Sequence, residues 1–362
     1  MALEREQVLA ALQTVKDPEL FKDIVTLGML KDLLVKAYDV SLTVELTNPT
    51  GPLRELVERD ITVALRRIGA ERVVVNVTAP PGGPKGVSER GGALPQVRHV
   101  IAVGAGKGGV GKSTIAANVA VGLSRTGAKV GLMDGDIYGP SMPTLLGIKG
   151  AMVKSTKVND VMKIVPFNVH GIHTITIGNL VEQDKPLIWR GPMAHGAFKQ
   201  LLVDNTHWPE LDYLIVDLPP GTGDVPLTLC QLLPLSGAVI VATPQQVALD
   251  DAIRAVRMFQ QLAAPILGIV ENMSYFPLPD GTSHDLFGRG GARKAADALG
   301  VPFLGELPMF QQLRLNSDAG APLDNFSGAQ DLRIALENLV NNLIREVDRN
   351  SASAAAPKLT IS

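Results

Sequence analysis

The chain is nearly without cysteine: Cys230 is the only one among 362 residues. That excludes an intramolecular disulfide and fits a reducing compartment. No apolar run approaches the roughly 20 residues that a membrane-spanning helix takes. The opening stretch, MALEREQVLAALQ, has no basic segment leading into an apolar one, so it does not read as a secretory signal. Net charge is only −2, which argues against a surface built to coat nucleic acid or lie on a membrane. A cytoplasmic protein with neither nucleic acid nor membrane among its partners is the expectation. What is present is 46% hydrophobic residues, enough for a substantial core, in a chain long enough for two domains.

Residues 1–79 read as a small α+β domain. REQVLAALQTV has helical apolar spacing, and LLVKAYDVSLTVEL reads as two strands around a turn at Ala37-Tyr38-Asp39. PLRELVERDITVALRRIG is an amphipathic helix stopped by Gly69, and RVVVNVTA is a last strand. Residues 80–98 pack Pro, Gly and charge together without an apolar period, which marks a linker. From residue 99 to 349 the pattern becomes α/β. HVIAVGAG, KVGLMDGD, DYLIVDLPPG, GAVIVATPQ and APILGIVENM alternate with helical stretches. Runs this apolar predict a mostly parallel sheet with helices on both faces, the frame of a P-loop NTPase. The last residues, 350–362, are small and polar and read as a disordered tail.

The strand HVIAVGAG runs straight into GAGKGGVGKST, which opens a helix. Gly106, Gly111, Lys112 and Ser113 fit G-x-x-x-x-G-K-[ST] in that context. Such a loop wraps phosphate with the backbone N–H groups of Gly106, Gly108, Gly109, Val110, Gly111 and the helix start, through Ser113 and Thr114. Lys112 supplies a mobile charge for the β- and γ-phosphates, and the Ser113 hydroxyl can ligate Mg²⁺. Three aspartates end strands where ligands bind in open α/β sheets: Asp134 and Asp136 in MDGDIYGPS, and Asp217 in YLIVD. No N-K-x-D segment for guanine is found. Asn272, at the end of the fifth strand in IVENMS, offers an amide to the edge of adenine, so ATP is the expected nucleotide.

Lys107 is surplus to that loop. KGGVGKST resembles the deviant Walker A signature of the MinD, ParA and nitrogenase-iron-protein class. The resemblance implies a homodimer in which Lys107 reaches the nucleotide of the other subunit, acting like an arginine finger in trans. It also implies that MDGDIYGPS is switch I, with Asp136 orienting the attacking water and Asp134 supporting the Mg²⁺ shell, or the two reversed. Asp217 becomes the Walker B carboxylate that meets Mg²⁺ through water, followed by a mobile PPGTGD.

GAGKGGVGKST, MDGDIYGPSMPTLLG, WRGPM, DYLIVDLPPGTGD, GAVIVATPQ and ENMSYF…LFGRGG together resemble the Mrp/ApbC family of iron–sulfur cluster carrier ATPases, over about residues 95–345. DPEL and DIVTLGML in the first domain resemble the small iron–sulfur-assembly domain often fused ahead of it. The resemblance implies delivery of [4Fe–4S] clusters to apoproteins, with a C-x-x-C pair per subunit holding the cluster across the dimer. This chain lacks that pair: Leu278 stands at the first position and Asp280 or Gly281 at the second. The cysteine usual in the small domain is Gly51 here. Cys230 lies in an apolar helical stretch, where cysteine packs as a small hydrophobe, and His284 and Asp285 are loop residues. The cluster ligands are therefore left open, as are the roles of Trp189, Arg190 and His195. The alternative is a positioning ATPase of the ParA or MinD type, but the chain shows neither a basic DNA-binding patch nor a basic amphipathic end.

Overall fold

The computed structural model describes residues 3–15, 23–45, 52–78, 93–180, 191–278 and 280–355. The chain divides into two compact units, Met1–Gly91 and Gly92–Ser362.

In the first unit, α1 (Arg5–Leu12) is followed by β1 (Leu30–Lys36) and β2 (Asp39–Glu45), then α2 (Pro52–Arg67) and β3 (Arg72–Thr78). The turn between the first two strands places Ala37 in the left-handed region. The sheet order is β1-β2-β3, with β2 antiparallel to β1 and parallel to β3. Alternation in β2 buries Val40, Leu42 and Val44 with Ile61 and Leu65 of α2 and Val8 and Leu12 of α1.

The second unit opens with β4 (Val97–Gly104), α3 (Lys112–Arg125), β5 (Val130–Asp134) and the short α4 (Met142–Leu145). A hairpin of β6 (Lys154–Val158) and β7 (Val161–Val165) precedes β8 (Phe167–Val169), β9 (Ile172–Thr176) and α5 (Gly191–Lys199). Then come β10 (Leu211–Asp217), α6 (Asp224–Leu232), β11 (Gly237–Ala242), α7 (Gln246–Gln261) and β12 (Ile266–Asn272). The small pair β13 (Phe276–Pro277) and β14 (Ser283–His284) leads to α8 (Gly291–Leu299), β15 (Phe303–Leu307), α9 (Gln311–Asp318) and α10 (Gln330–Ala355). The main sheet runs β15-β12-β11-β4-β10-β5-β9-β8, parallel throughout except for β8.

Strands this apolar need cover on both sides, and they have it. Ile101, Val103, Leu132 and Ile215 face a core shared with α3 and α10, while Val100, Met133, Leu214 and Val216 face one shared with Phe198, Val225, Val256 and Phe259 from the helices opposite. Three strands beyond the five expected, β8, β9 and β15, extend the sheet at its two edges. The last helix continues through Ala355, so the first six residues of the expected disordered tail are helical. β4 begins at Val97, inside the stretch expected to be linker.

Because the strands are parallel, their ends share one edge. Asp217 lies in register with Asp134 on one side and Val103 on the other, so the carboxyl ends of β4, β5 and β10 converge on the start of α3.

Candidate functional site

The loop between β4 and α3 is held from behind by close backbone contacts. Asn272 Nδ2 donates to the Val110 carbonyl at 2.8 Å, tying the end of β12 to the loop. Gly111 is left-handed, with φ +82°, and a Cβ there would sit 2.2 Å from that Nδ2. Gly106 lies against α7 so closely that a Cβ would come within 2.1 Å of the Asp251 backbone. Binding the loop in this way uses one of the two amide hydrogens that the sequence assigns to adenine.

Lys112 Nζ donates to Asp217 Oδ1 at 2.6 Å and to Ser113 Oγ at 3.2 Å. The lysine side chain is 6% exposed and the aspartate fully buried, so the pair is desolvated. Burial pushes the Asp217 carboxyl up, and the Lys112 ammonium, with the Ser113 hydroxyl, pulls it down. Its second oxygen, Oδ2, is buried with no hydrogen-bond partner. An orphaned carboxylate oxygen beside the loop serine suits the water shell of a divalent cation, which would supply the missing donor.

Asp134 and Asp136, equivalent in the sequence, differ sharply in the structure. Asp134 is fully buried and accepts three hydrogen bonds: from Thr176 Oγ1 at 2.9 Å, the Met142 amide at 3.1 Å and the Asp136 amide at 3.2 Å. Burial, reinforced by the neighbouring Asp217, pushes its carboxyl up to about 7. It thus fixes the loop that carries Asp136 and the start of α4. Asp136 accepts the Gly139 amide, at 3.3 Å, and retains 9% exposure. Burial raises its carboxyl too, with Lys112 opposing.

Lys107 is half-buried and makes no ion pair or side-chain hydrogen bond with any described residue, unlike Lys112. Gly108 and Gly109 beside it are exposed.

The segment where a C-x-x-C pair is expected forms the turn of the β13–β14 hairpin. Leu278 donates its amide to Thr282 O at 2.8 Å, and Asp280 Oδ1 accepts from the Thr282 amide at 2.9 Å and hydroxyl at 2.6 Å. His284 pairs with Phe276 across this hairpin, and Asp285 is exposed. Cys230 sits half-buried in α6, and burial pushes its thiol up to about 11. Among the described residues no three of His, Cys, Asp and Glu gather as a metal site. His195 lies instead beside switch-side α6: its Nδ1 is 2.5 Å from Thr228 Oγ1, which donates to the Asp224 carbonyl at 2.9 Å. Gly51, Trp189 and Arg190 lie outside the residues described.

Two residues of this site went unnoticed in the sequence. Thr176, which orients Asp134, ends β9, a strand that the sequence pattern did not reveal. Glu271, adjacent to Asn272, is buried and caps α8, accepting from the Gly290 amide at 2.8 Å, the Ala292 amide at 2.7 Å and Ser274 Oγ at 2.6 Å. A charged residue inside the apolar run ILGIVEN was its only signal.

Residues 96–344 match the family described as NUBPL iron-transfer P-loop NTPase, and residues 5–79 the family described as iron–sulfur cluster assembly protein. The chain is 48% identical to an iron–sulfur cluster carrier protein of Synechocystis over 89% of its length and 91% of that protein's. It is 42% identical to the iron–sulfur cluster carrier protein of Escherichia coli over 88% and 85%. Among solved structures, a nucleotide-binding protein from Archaeoglobus fulgidus in complex with ADP is 38% identical, with a TM-score of 0.56 over 64% of this chain and 89% of that one. The septum site-determining protein MinD of Pyrococcus horikoshii, complexed with Mg-ADP, shares the fold at 20% identity and a TM-score of 0.50, over 72% of this chain and 100% of its own. Among the described residues, no helix is long and apolar enough to cross a membrane.

Proposed function

We propose, from the premise that the chain belongs to the iron-transfer P-loop NTPase family, that it is a dimeric ATPase that handles iron–sulfur clusters on their way to apoproteins. The buried Lys112–Asp217 pair, with Asp217 Oδ2 left unpartnered, is the observation that carries the nucleotide half of this reading. Lys112 neutralises Asp217, the residue we assign as the Walker B carboxylate. Lys112 would hold the β- and γ-phosphates of a bound nucleotide, and Ser113, with Asp217 through water, would hold a Mg²⁺ ion that supplies charge stabilisation to those phosphates. Asn272 would keep one amide hydrogen on the loop and turn the other to adenine. Asp136, less buried than Asp134 and held only by amides of its own loop among the described residues, is the residue we assign to the attacking water, and Asp134 holds it in place. Lys107, without a partner among the described residues, would meet the phosphates of the other subunit.

The cargo half is carried by the relatives, iron–sulfur carriers that match nearly the whole chain. A [4Fe–4S] cluster takes four thiolates, and one half-buried cysteine per chain does not supply them. We therefore assign this protein a nucleotide-switched assembly or delivery role in which the cluster's thiolates come from its partners.

The test is anaerobic activation of an apo-enzyme that requires a [4Fe–4S] cluster, using a chemically assembled cluster donor, with and without this protein and MgATP. Iron per chain and phosphate release are measured alongside. Faster activation that depends on ATP, with no iron retained by the protein alone, is expected. Activation independent of the protein, or no phosphate release in its presence, would refute the proposal.

A further inference from the structure

Asn118 lies in the middle of α3, where asparagine is a poor helix former, and it is 2% exposed. Its Nδ2 donates to the Thr114 carbonyl in the first turn after the phosphate loop, at 2.8 Å. Its Oδ1 accepts from Asn325 Nδ2 at 2.8 Å. Asn325 Oδ1 accepts from Asn316 Nδ2 at 2.9 Å, and Asn316 Oδ1 from Gln312 Nε2 at 2.7 Å. Four side-chain amides thus form one line, each donating to the next, from the exposed start of α9 to the helix that presents the phosphate loop. The three asparagines are buried and matched in both directions along the line, which makes the arrangement geometrically specific.

The segment that carries this line, residues 311–326, also touches α4, the helical turn that directly follows switch I (the switch I helix), and the turn after it. Gly320 is left-handed, and a Cβ on it would lie 2.3 Å from Gly147 Cα and 3.0 Å from the Thr144 carbonyl. Gly147 directly follows the turn of α4 that Asp134 anchors at the Met142 amide. Phe326 packs on the other side against Gly122 of α3. One segment therefore grips the phosphate-loop helix through amides and the switch I helix through a backbone-to-backbone contact.

We propose that Asn118, Asn316 and Asn325 are positioning residues for nucleotide turnover: they lock segment 311–326 onto α3, so that the phosphate loop and the switch I helix respond to nucleotide together. This rests on the nucleotide-binding reading above. Neither Asn118 nor Asn325 lies in the phosphate loop; each acts through α3.

The test is hydrogen exchange on the full chain, with and without a non-hydrolysable ATP analogue and Mg²⁺, in the parent and in Asn118→Leu/Asn325→Leu. Replacing both members by apolar residues of similar size removes the Asn118–Asn325 link from both ends, at the cost of the acceptor for Asn316 Nδ2. In the parent, exchange is expected to slow in residues 105–118, 136–147 and 311–326 together. In the double variant it should still slow in 105–118 but no longer in 311–326, and kcat should fall about tenfold with KM nearly unchanged, a coupling of ordinary size. Asn118→Asp, which keeps the acceptor for Asn325 but loses the donor to the Thr114 carbonyl, should retain part of the joint response. A purely structural role would lower the melting temperature and leave both kcat and the joint response intact, which overturns the proposal. A parent whose segment 311–326 ignores nucleotide while 105–118 responds overturns it without recourse to any variant. A parent in which 105–118 does not respond would instead overturn the nucleotide-binding reading.

Discussion

The two lysines of the loop make a contrast that can be measured in one instrument. Lys112→Met removes the counter-charge that Asp217 has at 2.6 Å, the only one among the described residues, in a fully buried setting. Breaking a buried pair from one side costs about 3–5 kcal/mol, because the remaining charge stays desolvated. For a unit of this size each kcal/mol moves the melting temperature by about 2–4 °C. The nucleotide-free variant should therefore melt about 6–20 °C below the parent. The penalty depends on pH. Asp217 is already raised by burial, and losing Lys112 raises it further, so in acid the carboxyl takes a proton and the deficit shrinks. As pH rises above the ordinary carboxylate range the unfolded chain sheds that proton first and the deficit grows. Lys107→Ala removes a side chain with no described partner and should shift stability by less than about 0.5 kcal/mol. It should lower turnover by about a thousandfold, the scale of an arginine finger. Scanning calorimetry in chelator at several pH values, with phosphate release measured separately, reads all of this. A Lys112→Met protein as stable as its parent at neutral pH would refute the buried-pair reasoning, and a Lys107→Ala protein with normal turnover would refute the trans lysine.

Asp136→Asn should leave the melting temperature close to that of the parent and reduce turnover by about 10²–10⁴, as loss of a positioned base does; a normal rate would move the water-orienting role elsewhere. The Asp134 carboxyl is raised from 3.8 to about 7, so in chelator and without nucleotide it favours the fold in acid and that contribution is lost as pH rises between those values. Asp134→Asn should flatten that part of the stability–pH curve, and an unchanged slope would contradict its burial. Gly106→Ala would drive a methyl into the Asp251 backbone, and it should cost about 1–3 kcal/mol and weaken nucleotide affinity measured by calorimetry. Cys230→Ala should leave ATP turnover and apo-enzyme activation unchanged; loss of activation would make this thiol a cluster ligand.

The phosphate loop was legible in the sequence because its chemistry is local: glycines and a lysine at fixed spacing between a strand and a helix. Asp217 was legible for the same reason, at the end of an apolar run. The distinction between Asp134 and Asp136 was not, since it depends on Thr176, 42 residues further on, reaching one carboxylate and leaving the other. Nor was the amide line, whose Asn325–Asn118 link joins residues 207 apart. In the fold, the central strands announced themselves by being apolar on both faces. The strand β15 did not, being five residues with Gly305 at its centre, and β8 is a three-residue edge strand that only half-buries its side chains.

Cys230 has a consequence for oxidative conditions. With its thiol raised to about 11, only about one molecule in ten thousand carries a thiolate at neutral pH, and the thiolate is the form that peroxide and electrophiles attack. A carrier that grips its cluster with its own cysteines can be disabled by oxidation of those same sulfurs. Here the nucleotide site proposed above is assembled from amides, carboxylates, hydroxyls and ammonium groups, none of which changes oxidation state under such stress. A switch of this composition would keep answering to ATP while thiol-bearing partners around it were being oxidised and repaired.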